Sequence, residues 1–382
     1  MNVDKRGLNL NINEIEALYI HFPFCRHLCN YCDFYKNIPK NIDQEYTSFE
    51  NSLIEGHSNF VQEFKDSNLE IHSLNTLYLG GGTPSLWGSR GAHFLQNFLL
   101  ERNIKLGTEC EFTLEVNPGA WTKDTLDSFI EIGTNRFSLG IQSLNPNFLK
   151  IIDRVHNIDD VFETLKFFNE EKLSFSVDFM IGLPFSEKYN RDIVSELKEI
   201  LSFSPEHISL YILTTKAGYI HKDSLPSEEY IEREYLEVSR FLQSEGFNHY
   251  EVSNFSRPNK ESKHNLKYWK SESVMALGAS ATGFLKEIST RYKWLASKSE
   301  FHKEVLSVDE LKLEEVYMAL RINVPFDLSK HVNDEKKLAG VVKSWDSRDL
   351  LSYNEKGLIA LNSKGFLILD SLINDLFVQD LI

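Results

Sequence analysis

The sequence predicts an α/β protein: an open or partial (β/α)6 barrel followed by a smaller C-terminal α+β domain. Two observations carry this reading. Short apolar runs alternate with amphipathic helical segments as far as residue 213, the pattern of parallel βα units. Each apolar run then ends in glycine or polar residues, as in barrels whose reactive groups sit at the C-terminal ends of the strands.

Taken in order, residues 1–16 are polar and read as a lead-in. Residues 17–20 form a short buried strand that delivers the cysteine-rich stretch His21 to Tyr35. A helix over 43–64 follows, with Tyr46, Phe49, Leu53, Phe60 and Phe64 on its apolar face. A strand at 74–79 runs into Gly80-Gly81-Gly82-Thr83-Pro84. Helices at about 91–103 and 122–132 flank a strand at 111–116; strands at 136–141, 175–181 and 207–213 follow, with two short helices and a helix at about 187–202 between them. The strand ends read as the cysteine loop, Gly-Gly-Gly-Thr-Pro, Glu115-Val116-Asn117-Pro118, Gly140-Ile141-Gln142-Ser143, Asp178 to Pro184, and Tyr211 to Thr214, all expected on one rim.

Beyond Thr214 the pattern changes. A helix at about 227–246 leads to Tyr250–Phe255, to His264-Asn265-Leu266-Lys267-Tyr268-Trp269, and to a small-residue stretch at 277–283. The capping-box pattern Ser307-Val308-Asp309-Glu310 opens a helix running to about 322. A strand at 358–361, a turn at 364–365 and a helix at 366–377 form a winged-helix-like cap without a basic recognition face, which reads as packing. The expected organisation is a lead-in (1–16), a barrel (17–225), an extension (226–300) and a C-terminal helical, winged-helix-like domain (301–382).

The formal net charge of −15 argues against an electrostatic grip on nucleic acid or an anionic membrane. No apolar run is long enough to span a bilayer. Four cysteines in 382 residues, without an export signal, read as cytoplasmic thiols.

Three of those cysteines, Cys25, Cys29 and Cys32, stand in eight residues as C-x3-C-x2-C. Thiolates so placed can meet at one soft metal centre, zinc or an iron–sulfur cluster. Three is one short of a closed four-ligand site. Either an open iron remains for another ligand, or His21 or His27 completes a zinc site. Cys110 stands apart with no partner at ligand spacing. Phe22, Phe24, Tyr31, Phe34 and Tyr35 are either core or a shield around a cluster. The glycine triplet offers free backbone to a ligand or merely turns the chain; it lacks the marks of a phosphate loop or a dinucleotide fingerprint. Glu115, Gln142 and Asp178 either recognise a ligand's amino and hydroxyl groups or stitch loops together. His264 with Tyr268 and Trp269 reads as an axial ligand and walls for a flat macrocycle, or as ordinary structure.

The cysteine loop and the Gly-Gly-Gly-Thr-Pro strand end together resemble the radical S-adenosylmethionine (SAM) proteins. The runs Glu-Val-Asn-Pro, Gly-Ile-Gln-Ser, Asp-Phe-Met-Ile-Gly-Leu-Pro and His-Asn-Leu-Lys-Tyr-Trp narrow the resemblance to the coproporphyrinogen-dehydrogenase-like (HemN-related) branch and, within it, to the HemW heme chaperones. The resemblance extends from about Tyr19 to the C-terminus. It implies a [4Fe-4S] cluster on Cys25, Cys29 and Cys32, and SAM at the fourth iron. It implies a SAM site at Tyr19, Gly81, Gly82, Thr83, Glu115, Gln142, Arg154 and Asp178, with Thr214 a looser match. Two departures separate the branches. The dehydrogenase pattern continues to a fourth cysteine where this chain has Phe34, and the dehydrogenases carry an N-terminal extension of about fifty residues, whereas here Tyr19 lies almost at the start. The His264-Asn265-x-x-Tyr268-Trp269 motif belongs to the chaperone side, where it is associated with heme binding. The expected function is therefore heme binding and delivery to respiratory or other acceptor proteins, with cluster-linked dimerisation expected for such a family and no catalytic residue assigned. Oxygen-independent coproporphyrinogen III decarboxylation is the competing reading, and a purely structural cluster in an interaction module the third.

Overall fold

The computed structural model describes residues 13–296, 299–355 and 357–382; positions 1–12 of the expected lead-in lie outside the described residues. Six strands carry the βα pattern: β1 (Ala17–Phe22), β2 (Ser73–Gly81), β3 (Lys105–Val116), β4 (Arg136–Gln142), β5 (Phe175–Ile181) and β6 (His207–Ile212). The chain forms two compact units that interleave along the sequence, one from residues 13–28, 33–138 and 272–305, the other from 29–32, 139–271 and 306–382.

In the first unit Met275–Leu277, β1, β2 and β3 pair in that order, all parallel. Leu18, Ile20, Phe22, Leu77, Leu79, Phe112 and Leu114 are fully buried. Parallel strands covered on both faces need this near-continuous apolar character. Helix α1 (Ile42–Glu63) starts at Asn41, whose side chain accepts the Gln44 N–H, and buries Tyr46, Phe49, Leu53 and Phe60 at helical spacing. Phe22 is caged by the rings of Phe24, Tyr46, Phe49 and Trp87, with centroids 5.3–5.5 Å away. The last strand residue before the cysteine loop is thus fixed by packing on four rings. Asn13–Glu14, expected as lead-in, pairs in parallel with Leu69–Glu70. The small-residue stretch 277–283 takes in the end of the strand Met275–Leu277 and the start of Thr282–Leu285; Trp294 Nε1 donates to the Ala276 carbonyl at 2.6 Å, so partners distant in sequence make these strands.

In the second unit β5 and β6 are parallel, Asn254–Ser256 pairs antiparallel with β6, and Asn248–Glu251 pairs antiparallel with Asn254–Ser256. Helix α6 (Ile193–Leu201) begins later than the expected 187. Phe185 and Asn190 take positive φ, and the Asp192 side chain accepts the Ser195 N–H, so a local cap outweighs helix propensity. The Ser307 capping box forms as expected and opens Val308–Ala319. Lys364 and Gly365 lie in a short helix, Ser363–Leu367, because the Asn362 side chain accepts both of their N–H groups. Trp345, Leu361, Phe366, Leu372 and Leu376 form the core of this C-terminal region. Among the described residues no helix is long and apolar enough to cross a membrane.

His249 is buried against Phe255 at 4.0 Å and faces the Ser239 and Ser363 hydroxyls, and burial pushes its pKa down to about 3. Its folded pKa lies below the unfolded value of about 6.5, so as pH falls the unfolded chain takes up the proton first. The stability it supports is complete above about 6.5 and declines toward the folded pKa, by up to about 1.4 kcal/mol per pH unit. Urea unfolding between about pH 7 and 4 should show this slope, and His249→Gln should reduce it by about one proton.

Candidate cluster and cofactor site

In the first unit the cysteine loop leaves β1 and is stapled at once. Cys25 N–H donates to the Asn37 carbonyl (2.9 Å), Asn37 N–H to Pro23 (2.7 Å), and Thr83 N–H to Phe24 (2.8 Å). The Thr83 hydroxyl points at Cys25 Sγ (3.7 Å) and accepts from Asn117 Nδ2 at 2.9 Å. Arg26 donates to the Gly119 carbonyl at 2.7 Å. The glycine triplet sits in a tight cradle of the protein's own atoms. A Cβ on Gly82 would lie 2.5 Å from the Phe24 carbonyl oxygen, and one on Gly81, whose φ is +112°, 2.6 Å from the His21 ring. Glu115 accepts from the Tyr78 hydroxyl (2.9 Å) and the Gly81 N–H (3.0 Å), which fixes its carboxylate at the strand end.

His21 is 4% exposed and burial lowers its pKa, so it is neutral at pH 7. One ring nitrogen lies 2.8 Å from the Tyr35 carbonyl, which only accepts; that nitrogen, Nε2, therefore carries the proton. Nδ1 then accepts from the Tyr19 hydroxyl at 3.0 Å. From the sequence Tyr78 carries no site role, and His21 is weighed only as a possible zinc ligand. The usable signal for His21 was the period-two placement of Tyr19 and His21 on one side of a strand otherwise apolar.

In the second unit Tyr31 packs against the cluster of Phe148, Ile152, Met180 and Leu183, and holds Cys29 and Cys32 there. Arg154 Nη1 stands 3.9 Å from Cys29 Sγ, and its Nη2 donates to the Gly140 carbonyl (2.6 Å) and to His156 Nδ1 (3.3 Å). Burial first, and the Arg154 charge second, push His156 down to about 3, so it stays a neutral acceptor. Gln142 ends β4, buried, with φ +72°. Asp178 is the one half-buried position of β5, and Thr214 is exposed just beyond β6.

His264, Tyr268 and Trp269 lie on α8 (Lys263–Trp269), capped by Ser262. His264 is 2% exposed and meets the Tyr268 ring edge-on at 5.5 Å, while the Arg321 guanidinium lies 4.2 Å over Trp269.

None of the four cysteines is in a disulfide. Among the described residues no three His, Cys, Asp or Glu side chains already stand together as a metal site. The donor set nevertheless fits a thiolate-bound cluster: a hydroxyl donor approaches one sulfur and a guanidinium another, and such donors stabilise sulfur ligands. The radical SAM superfamily model matches residues 19–197. A protein named heme chaperone HemW from Lactococcus lactis is 32% identical over 80% of this chain and 81% of its own length. That of Synechocystis is 30% identical over 89% and 87%, and that of Bacillus subtilis 31% over 71% of each. The chain belongs to the HemW family. Membership in the radical SAM superfamily implies a [4Fe-4S] cluster and SAM as its cofactors. Coproporphyrinogen III oxidase (HemN) from Escherichia coli superposes with a TM-score of 0.76 over 95% of this chain and 89% of its own, at 20% identity. That likeness shows the shared α/β fold, and bears out the fold class read from the strand pattern.

The cradle of this HemW-family chain gives a steric prediction. Gly82→Ala should destabilise by about 1–3 kcal/mol and lower iron loading on reconstitution. Gly340→Ala, in an open helical position, should be neutral or stabilise by up to about 1 kcal/mol with iron loading unchanged. Thermal unfolding and iron analysis on both variants test this.

Proposed function

We propose that this chain is a cytoplasmic heme chaperone that binds heme and passes it to acceptor proteins, with a [4Fe-4S] cluster on Cys25, Cys29 and Cys32 and SAM beside it. The carrying observation is the identity of 30–32% to proteins named heme chaperone HemW, over as much as 89% of this chain. Phe34 stands where the dehydrogenase pattern has its fourth cysteine, which supports the same reading. The barrel region, 17–225, holds the cluster and SAM. The resemblance assigns SAM contacts to Tyr19, Gly81, Gly82, Thr83, Glu115, Gln142, Arg154 and Asp178. Bound together, cluster and SAM supply one-electron chemistry; the protein supplies orientation and charge. Thr83 and Arg154 present donors to the sulfurs, and Glu115, already hydrogen-bonded to the Gly81 N–H, offers a fixed carboxylate to the amino group of SAM.

The extension, 226–300, supplies heme binding through His264, Tyr268 and Trp269. The His264 imidazole is buried against Tyr268, so ligation requires α8 to shift. After anaerobic reconstitution, heme titration should give stoichiometric binding, and coproporphyrinogen III with SAM and a reductant should give no protoporphyrinogen IX. Product at a useful rate would overturn the chaperone reading. His264→Ala should weaken heme binding by about tenfold or more, about 1.4 kcal/mol, with cluster content unchanged. Unchanged heme affinity in that variant would remove His264 from the heme site.

A further inference from the structure

Gln142 occupies a backbone state that a non-glycine residue seldom adopts. Its φ is +72°, and the Ser143 N–H donates to the Ile141 carbonyl at 2.9 Å across it. This is the positive-φ γ-turn, a rare and strained form. What holds it is a clamp outside the turn. Glu196, in the first turns of α6, accepts with one oxygen from the Ser143 hydroxyl and the Leu144 N–H, both at 2.6 Å. Arg191 grips the same carboxylate from the other side, Nε at 2.7 Å and Nη2 at 3.2 Å, while its Nη1 donates to the Met180 carbonyl of β5 at 2.6 Å. The guanidinium lies over Phe148 at 5.2 Å, and its side chain is 1% exposed.

We propose that Arg191 and Glu196 are positioning residues for SAM: their ion pair ties the end of β4 to the end of β5 and keeps Gln142 in its γ-turn, aimed at the cofactor. The inference rests on the SAM assignment to Gln142 made above. A buried bidentate pair suits this use, because a strained turn persists only where its surroundings over-determine it, and a guanidinium fork fixes angle as well as distance. The clamp is invisible to local pattern, since Ser143 and Glu196 are 53 positions apart.

The test titrates SAM into the reconstituted full-length protein, following the EPR signal of the reduced cluster. Iron content and heme stoichiometry are measured on the same samples. Glu196→Ala should weaken SAM binding by about tenfold or more, with iron and heme unchanged. Glu196→Gln keeps an acceptor for Ser143 and Leu144 but loses the charge that Arg191 pairs with, and should recover only part of that loss. If Glu196→Ala does not fold, Ser143→Ala removes only a hydroxyl and should weaken SAM about threefold. SAM affinity within about twofold of the parent in every folded variant overturns the clamp and leaves the SAM site standing. Loss of iron in step with SAM makes the pair purely structural and also overturns it. A parent protein that binds no SAM overturns both readings.

Discussion

A buried, neutral imidazole decides the arrangement of the first unit's strand ends. Desolvation keeps His21 uncharged, and the Tyr35 carbonyl fixes which nitrogen carries the proton. The other nitrogen is left to hold the Tyr19 hydroxyl. Two ends of the cysteine stretch, the strand that enters it and the residue that leaves it, are thereby joined through one ring. The ring in turn dictates the composition around it. Gly81 must lack a side chain because the ring occupies that space, and a Cβ on Gly278 would lie 2.5 Å from the His21 carbonyl oxygen. Gly81 is a consequence of where the imidazole sits, and Gly278 of where the His21 backbone runs.

Charge follows a related logic. The chain is acidic overall, yet three arginines act on backbone carbonyls at or near strand ends. Arg26 donates to the Gly119 carbonyl, Arg154 to Gly140 and Arg191 to Met180, each at 2.6–2.7 Å. A guanidinium has five donors in a fixed plane, so it can hold a carbonyl and still present a cation to a sulfur or a carboxylate. Arg154 does the first with Cys29 and Arg191 the second with Glu196. A lysine would satisfy one of these contacts and lose the other.

The fold and the superfamily were legible because each depends on local patterns. Strands buried on both faces must be apolar runs, so β1 to β6 were visible, and the C-x3-C-x2-C loop carried the radical SAM resemblance. What was not visible depends on contacts distant in sequence. The tight packing of Gly81 and Gly82 needed the His21 ring and the Phe24 carbonyl beside them. The late start of α6 and the helical state of Lys364–Gly365 came from the caps Asp192 and Asn362, each satisfying N–H groups that propensity ignores. Tyr78 joined the site only because β2 lies in register beside β3, which carries Glu115.

The motif helix α8 closes this comparison from the other side. It has seven residues, too few to hold itself by backbone hydrogen bonding alone. Its order comes from the Ser262 cap, the His264–Tyr268 contact and Arg321 over Trp269. Nearby, Glu251 is wholly buried, and burial pushes its carboxyl up despite the opposing charge of Arg321. Elements held by a few contacts rather than by a large apolar face open at lower free energy than the sheet they accompany. A buried histidine on such a helix is therefore compatible with ligand binding in a way that the same burial on β1 would not be. Exposing His21 would dismantle the strand ends, whereas exposing His264 moves one short helix.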